Sequence, residues 1–274
     1  MKKIFLSCTF IFLLLSCSHG GTADSQKFPV IETHYCSQAE LSQRKSGSCA
    51  LENYEQWNLQ YPSGTEEGGM INAGVTAELK NRYFSLYTDA EGKNYMRFSL
   101  DASDKGKSKN GSSVRSELRH LNEWTLADKT SLEYTFFLTS TDFSSAKFTV
   151  GQFLQKCDKK DSPLCRIEVE NGMITAKVNN YERDGTTKAD GKTHNYSLGS
   201  ILQKQEVTIK ISVDNKVLNL YRDGKKYATH NFHENVESTY ENYYKAGIYY
   251  QNKDSPKIFS EVFIRDLKVN LSGD

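Results

Sequence analysis

Val207-Thr-Ile-Lys-Ile-Ser-Val213, with Asp214-Asn215 and then Val217-Leu-Asn-Leu-Tyr221 after it, decides the fold class. Apolar and polar residues alternate in both runs, which is the period of a β-strand with one buried face. The short polar pair between the runs is typical of a tight turn, so the stretch predicts a β-hairpin. A second turn signal at Asp223-Gly224 predicts that another strand follows.

The same alternation recurs at Met96–Leu100, Leu132–Phe136 and Phe259–Val269, whereas helical periodicity is rare. One brief helix is expected at residues 37–48. The chain has 16 tyrosines and 14 phenylalanines but only four prolines, which favours strands. Together these patterns predict an all-β fold of two packed antiparallel sheets, a β-sandwich or β-jelly roll.

Two polar stretches, 104–113 and 182–192, are rich in Gly, Lys, Ser and Thr and are predicted to be loops. They are either plain surface loops or lids that border a cleft. No domain boundary is apparent after residue 50. We therefore predict one β domain over residues 51–274, preceded by a tether and N-terminal segment at 17–50.

The first sixteen residues predict an export signal. Two lysines precede the apolar run Ile4–Leu15, which is too short to span a membrane. The run ends in Leu14-Leu-Ser-Cys17, which resembles a bacterial lipobox and predicts lipidation of Cys17. The alternative is cleavage a few residues later, which would release a free protein. We expect an exported protein. It is anchored in the outer membrane if Cys17 is lipidated, and it is periplasmic or secreted otherwise.

Four of the six cysteines lie outside the export segment, at positions 36, 49, 157 and 165. An even number in an exported chain predicts two disulfides. Of the three possible connectivities, Cys36–Cys49 and Cys157–Cys165 are favoured because each closes a short loop. A zinc site is disfavoured, because neither pair has the close spacing of a zinc knuckle and no histidine lies beside it. We expect no metal and no other cofactor.

The overall charge does not favour a polyanionic partner. Residues 1–16 contain two of the 35 basic residues, so 33 remain against 34 acidic ones, a net charge of about −1. No global field would recruit nucleic acid, and none is expected as a partner. Any attraction for an anionic substrate must be local.

The stretch Val114-Arg-Ser-Glu-Leu-Arg119 is the first candidate for such a local site. In a strand, Arg115, Glu117 and Arg119 share one face. Two guanidinium groups that flank a carboxylate form an anion receptor, because arginine binds carboxylates through two parallel hydrogen bonds. The alternative is a salt-bridge ladder on the surface.

Two further stretches carry polar residues on strand faces. In Tyr243-Tyr-Lys-Ala-Gly-Ile-Tyr-Tyr-Gln-Asn252, period two places Tyr243, Lys245, Gly247, Tyr249 and Gln251 together. The missing side chain at Gly247 predicts a gap where a ligand could approach. In Phe148-Thr-Val-Gly-Gln-Phe-Leu154, the polar Gln152 interrupts an apolar face.

These three stretches resemble the motifs of alginate lyases of polysaccharide lyase family 7. That family has an Arg-Ser/Thr-Glu-Leu-Arg strand, a Gln-Ile/Val-His strand and a Tyr-Phe-Lys-Ala-Gly-Val-Tyr-Asn-Gln strand, in this order. The first motif is complete at 115–119 and the third nearly complete at 243–251, so the resemblance covers roughly residues 50–271. It implies a β-jelly roll whose concave sheet forms a groove for alginate, and we expect a monomer.

The resemblance also implies roles for individual residues. Arg115 and Gln152 would neutralise the uronate carboxylate, and Tyr249 would protonate the departing glycosidic oxygen. For Tyr249 to act as a base as well, nearby cations would have to lower its pKa. The implied substrate-binding residues are Arg119, Glu117, Lys245, Gln251 and Tyr243.

One position departs from the family motif, because Leu154 stands where the family has histidine. Of the six histidines, only His194, which follows the predicted loop at 182–192, is a candidate substitute. In β-mannuronate, H5 and O4 lie on the same side of the ring, so one tyrosine could act as base and acid. In α-guluronate they lie on opposite sides. The departure therefore predicts a polymannuronate lyase that acts by β-elimination.

Other functions stay open from the sequence. One alternative is a lyase for another polyuronate such as glucuronan. Another is a non-catalytic carbohydrate-binding module, which retention of Arg115, Gln152, Lys245 and Tyr249 together disfavours. A jelly-roll glycosidase is disfavoured because no Glu-x-Asp-x-x-Glu strand supplies its pair of carboxylates.

Overall fold

The computed structural model of the chain describes residues 34–37, 49–65, 69–76, 79–101, 103–104, 106, 113–250 and 258–271. These residues are mostly β-strand, with one 3₁₀ turn at Tyr54–Gln56, and no helix among them is long and apolar enough for a membrane crossing. The strands are β1 (His34–Cys36), β2 (Cys49–Glu52), β3 (Trp57–Pro62), β4 (Met70–Gly74), β5 (Phe84–Thr88), β6 (Asn94–Asp101), β7 (Val114–His120), β8 (Lys129–Ser140), β9 (Lys147–Gln155), β10 (Ser162–Glu170), β11 (Met173–Tyr181), β12 (Lys188–Ser200), β13 (Val207–Asp214), β14 (Val217–Arg222), β15 (Lys225–Asn231), β16 (Asn242–Tyr250) and β17 (Phe259–Leu271).

Two antiparallel sheets make up the fold. The front sheet has eight strands in the order β12-β11-β10-β9-β16-β7-β3-β4, and the back sheet has seven in the order β15-β14-β13-β8-β17-β6-β5. A small parallel pair, β1 and β2, forms a third sheet of two strands. The predicted all-β jelly roll is confirmed, and the hairpin that the opening stretch predicts is β13–β14, with β15 after the second turn.

The core lies between the inner faces of the two sheets. Along β13, Val207, Ile209, Ile211 and Val213 are buried in strict alternation with more exposed polar residues. The front sheet supplies matching apolar residues, and burying each such side chain stabilises the fold by roughly 1.5–3 kcal/mol. The contact between sheets is close, since a Cβ on Gly151 would collide with the hydroxyl of Tyr134 from the back sheet.

One of the two predicted loops is partly wrong, and three other sequence predictions fall on residues that the structure does not describe. The predicted loop at 182–192 is wrong in its second half, because β12 begins at Lys188, which pairs with Tyr181 of β11. The predicted helix at 37–48 and most of the predicted loop at 104–113 lie outside the described residues, as does the export segment with Cys17.

One predicted disulfide is present and one is absent. Cys36 and Cys49 are bonded, with their Cα atoms 5.6 Å apart. Cys157 and Cys165 are both free, so that predicted pairing is wrong. The strand register explains the error: Cys165 pairs with Phe153 across β9 and β10 and points into the core, whereas Cys157 lies beyond the end of β9.

Candidate active site

The three motif-bearing strands are neighbours in the front sheet, in the order β9, β16, β7. Their register places Lys245 between Arg119 on one side and Gln152 on the other. Tyr249 lies directly opposite Arg115. Because residues that pair across antiparallel strands project from the same face, the structure brings the predicted site residues together on the outer face of the front sheet. Gln251 lies outside the described residues.

Glu117 is the centre of this cluster and is completely buried. Its Oε1 accepts a hydrogen bond of 2.6 Å from Nε2 of Gln152. Its Oε2 lies 3.5 Å from Nη1 of Arg115 and 3.8 Å from Nζ of Lys245. A buried carboxylate that is surrounded by three partners cannot itself reach a substrate, so Glu117 holds the side chains of those partners in place.

Lys245 is the most perturbed cation of the cluster. Only 3% of the residue is exposed, and its Nζ donates a 2.5 Å hydrogen bond to Oε1 of Gln60. Burial, reinforced by the guanidinium groups of Arg115 and Arg119 and opposed by Glu117, lowers the pKa of Lys245 to about 7. Lys245 therefore changes its charge near neutral pH.

Two arginines lie over the faces of two tyrosines. The guanidinium carbon of Arg115 is 4.4 Å from the ring centre of Tyr249, and that of Arg119 is 4.2 Å from the ring centre of Tyr243. These cation–π contacts fix the directions of all four side chains.

The hydroxyl of Tyr243 donates a 2.9 Å hydrogen bond to Asp161. Burial and the nearby Asp161 carboxylate raise the pKa of Tyr243, so its hydroxyl stays protonated. Asp161 and Gln60 were both missed in the sequence. Each lies outside the three motifs, and only the strand pairing brings it to the cluster.

Gly247 has a different role from the one predicted. Its φ is +146°, and a Cβ there would collide with the carbonyl oxygen of Ser116 and lie 2.7 Å from Cα of Glu117. The space beside Gly247 is thus filled by β7, and the predicted gap for a ligand is wrong. The glycine lies in a bulge, because the pairing of β16 with β9 skips one residue between Ala246 and Tyr249.

The position that departs from the family motif stays apolar in the structure. Leu154 is half-buried on β9 and pairs with Tyr243. His194 does not replace the missing histidine, because it lies on the edge strand β12 and pairs there with the core residue Val178. Its side chain therefore belongs to the inner face of the front sheet.

A separate polar cluster surrounds His194 and links the edge strands of the two sheets. Nε2 of His194 lies 2.5 Å from Asp190, and its ring packs on that of His230 from β15 with centres 4.7 Å apart. His230 also contacts the hydroxyl of Tyr196 at 2.9 Å and Oδ1 of Asn180 at 3.2 Å. Burial and the nearby His194, opposed by Asp190, lower the pKa of His230 to about 4.

No group of three or more His, Cys, Asp or Glu side chains within the described ranges could hold a metal ion.

A family model described as alginate lyase matches residues 51–270, which is most of the chain. The chain belongs to the alginate lyase family. It is therefore a polysaccharide lyase by family.

Solved alginate lyases share the fold. A family 7 alginate lyase, A1-II', solved as a variant in complex with "product (GGG)", has a TM-score of 0.65 at 21% identity, over 80% of this chain and 96% of that one. Alginate lyase PA1167 from Pseudomonas aeruginosa has a TM-score of 0.65 at 21% sequence identity, over 80% of this chain and 99% of that one. Alginate lyase AlyC3 in complex with dimannuronate has a TM-score of 0.61 at 19% sequence identity, over 80% of this chain and 90% of that one. Among curated proteins, no sequence matches the chain.

Proposed function

We propose that this alginate lyase cleaves the 1,4-glycosidic bond of polymannuronate-rich alginate by β-elimination, which leaves an unsaturated uronate at the new non-reducing end. One observation carries the proposal. Arg115 contacts both the ring of Tyr249, at 4.4 Å, and the buried carboxylate of Glu117, at 3.5 Å. A cation held in this way lies beside the group that would transfer protons.

The first requirement of the reaction is to make the C5 proton of the uronate acidic. That proton is alpha to a carboxylate, and removing it places further negative charge on an already charged group. Arg115 and the amide of Gln152 would bind this carboxylate and stabilise the enediolate that develops. The hydrogen bond from Gln152 to Glu117 keeps the amide oriented before substrate arrives.

The second requirement is proton transfer. Tyr249, as the phenolate, takes the proton from C5, the electron pair left on C5 forms the C4–C5 double bond, and the C4–O4 bond breaks. The same tyrosine then returns the proton to O4. The Arg115 guanidinium on its ring would stabilise the negative charge that the phenolate oxygen carries before it takes the proton.

Leu154 supports a preference for mannuronate. An apolar side chain cannot accept a proton, and His194 belongs to the other face of the sheet. If Tyr249 handles both transfers, H5 and O4 must lie on the same side of the ring, as they do in β-mannuronate. AlyC3 was solved with dimannuronate and A1-II' with "product (GGG)", so we take an alginate oligosaccharide as the ligand class.

The test is to incubate the purified protein with polymannuronate, polyguluronate and glucuronan while following the ultraviolet absorbance of the new double bond. We expect the fastest rise with polymannuronate. Tyr249→Phe removes one oxygen atom, and it should abolish the rise while leaving the circular dichroism unchanged. Faster cleavage of polyguluronate would show that another residue supplies the base, and full activity of Tyr249→Phe would overturn the mechanism.

We also propose that the protein is exported and anchored by a lipid on Cys17, which the Leu-Leu-Ser-Cys sequence supports. In a bacterial host, Cys17→Ser should move the protein out of the membrane fraction. Membrane association that is independent of Cys17 would contradict the proposal.

A further inference from the structure

A second buried carboxylate lies on the outer face of the front sheet. Glu168 of β10 is only 2% exposed. Nη2 of Arg166 lies 3.3 Å from one of its oxygens, and Nζ of Lys177 from β11 lies 2.6 Å from the other. The arrangement repeats that of Glu117, which also pairs with the arginine two residues before it and with a lysine from a neighbouring strand.

The two clusters are aligned across the sheet. Arg166 pairs directly with Gln152 on one side and with Lys177 on the other, so both cations continue the row that contains Lys245. Glu117 and Glu168 are separated by three strand spacings, which amounts to about 14 Å. A chain that crosses the strands over the first cluster therefore reaches the second.

The second cluster has the chemistry of an anion site. Side-chain exposure is 20% for Arg166 and 23% for Lys177, but 3% for Glu168. The carboxylate is thus covered, and each cation keeps an exposed part that can face a ligand. Two cations and one carboxylate leave a net charge of +1 on this patch, although the whole protein is close to neutral. A uronate carboxylate has the complementary charge, and arginine and lysine are its usual partners.

We propose that Arg166 and Lys177, held in place by Glu168, form a second carboxylate-binding subsite, which takes a uronate several sugars away from the one bound by Arg115 and Gln152. The proposal rests on the proposed function only in taking a polyuronate as the ligand. It predicts that long chains bind more tightly than short ones because they contact both clusters.

The experiment compares equilibrium binding of long polymannuronate and of dimannuronate to Tyr249→Phe protein, with and without Lys177→Gln. Glutamine keeps much of the length of lysine but lacks its charge. The Kd for the polymer should rise roughly tenfold, as expected for the loss of one charge-assisted hydrogen bond to a carboxylate. The Kd for the disaccharide should change less than twofold, because it does not span both clusters.

The matched control is Lys210→Gln on the back sheet. Lys210 also pairs with a glutamate on the neighbouring strand, Glu133, at 3.1 Å, but on the other side of the molecule. This change should leave both dissociation constants unaltered.

Two results would overturn the subsite. The first is an unchanged polymer Kd in Lys177→Gln, which would make the cluster a structural ion pair. The second is an equal rise in Kd for polymer and disaccharide, which would mean that the change acts through the first cluster. Failure of the proposed function is distinguishable, because it would show as wild-type protein that binds polymannuronate and forms no double bond.

Discussion

Nζ of Lys245 and Oε2 of Glu117 lie 3.8 Å apart on adjacent strands, and both side chains are almost completely withdrawn from water. Taking each ion out of water costs several kcal/mol, and the attraction between the two offsets this cost only in part. The pair lies beside Arg115, which contacts Tyr249. We interpret it as an arrangement that orients the site at the expense of stability.

Glu117→Gln should destabilise the protein by about 3 kcal/mol, because it leaves the buried Lys245 and the partly buried Arg115 without their counter-charge. Urea unfolding followed by circular dichroism measures this change. The control is Glu133→Gln, which breaks a half-exposed pair with Lys210 at 3.1 Å and should cost at most about 1 kcal/mol. Equal losses in the two variants would contradict the central role of Glu117.

Substrate binding should be accompanied by proton uptake above neutral pH. The pKa of Lys245 is about 7 in the free protein, and a bound uronate carboxylate would raise it. At any pH between the pKa of Lys245 in the free protein and its pKa in the complex, binding therefore adds a proton to Lys245. At pH 6 the lysine is already charged before substrate binds. Titration calorimetry in buffers of different ionisation enthalpy should show uptake at pH 8, little at pH 6 and none at either pH in Lys245→Arg. Uptake that persists in Lys245→Arg would assign the proton to another group.

His230 should make the protein less stable as the pH falls. Its pKa is about 4 in the folded protein against the usual 6.5, so the unfolded chain binds more protons between these values. Stability is therefore lost as the pH falls from 6.5 towards 4, by at most about 3 kcal/mol. Urea unfolding at pH 7 and pH 4.5 should show a smaller difference in His230→Gln than in wild type. His233→Gln, a change outside this ring contact, should keep the wild-type difference.

Gly247→Ala should be strongly destabilising and should lower activity. The added Cβ would meet the backbone of β7 at Ser116 and Glu117, and the positive φ disfavours any side chain. We expect a loss of at least about 2 kcal/mol, together with displacement of the arginines of β7. Gly74→Ala is the matched control, because it lies on β4 of the same sheet and its nearest contact would be an ordinary 3.8 Å to Asn58. Similar thermal midpoints for the two variants would show that the bulge tolerates a side chain.

The fold could be predicted because its signal is local. Each strand of the sheets buries one face, so alternation such as that of Val207–Val213 appears directly in the sequence and is found in β13. The motif residues of β7, β9 and β16 could be placed for the same reason, since period two fixes which side chains share a face. The clustering of Arg115, Lys245, Gln152 and Tyr249 on one face is found as the motifs implied.

The errors arise where the register between strands decides the outcome. Short separation along the chain suggested Cys157–Cys165, but the pairing of β9 with β10 places Cys165 opposite Phe153. Gln60 reaches the cluster only because β3 pairs with β7, which no local pattern reveals. The face of its own strand predicts a gap at Gly247, whereas the backbone of the neighbouring strand β7 fills that space.

The bulge in β16 also determines how the sheet could be recombined with that of a relative. From Lys245 to Tyr250, each residue of β16 pairs with one residue of β7. On the other side, the three steps from Ala246 to Tyr249 along β16 correspond to only two steps along β9. A chimera that exchanges β7 and β16 together would retain an uninterrupted pairing between the donor strands. A chimera that exchanges β9 alone would have to pair with the extra residue of β16 in the same way, or Tyr249 would be out of register with its neighbour on β9. Productive crossover points therefore lie before β7 and after β16, so that β7, β9 and β16 come from the same parent.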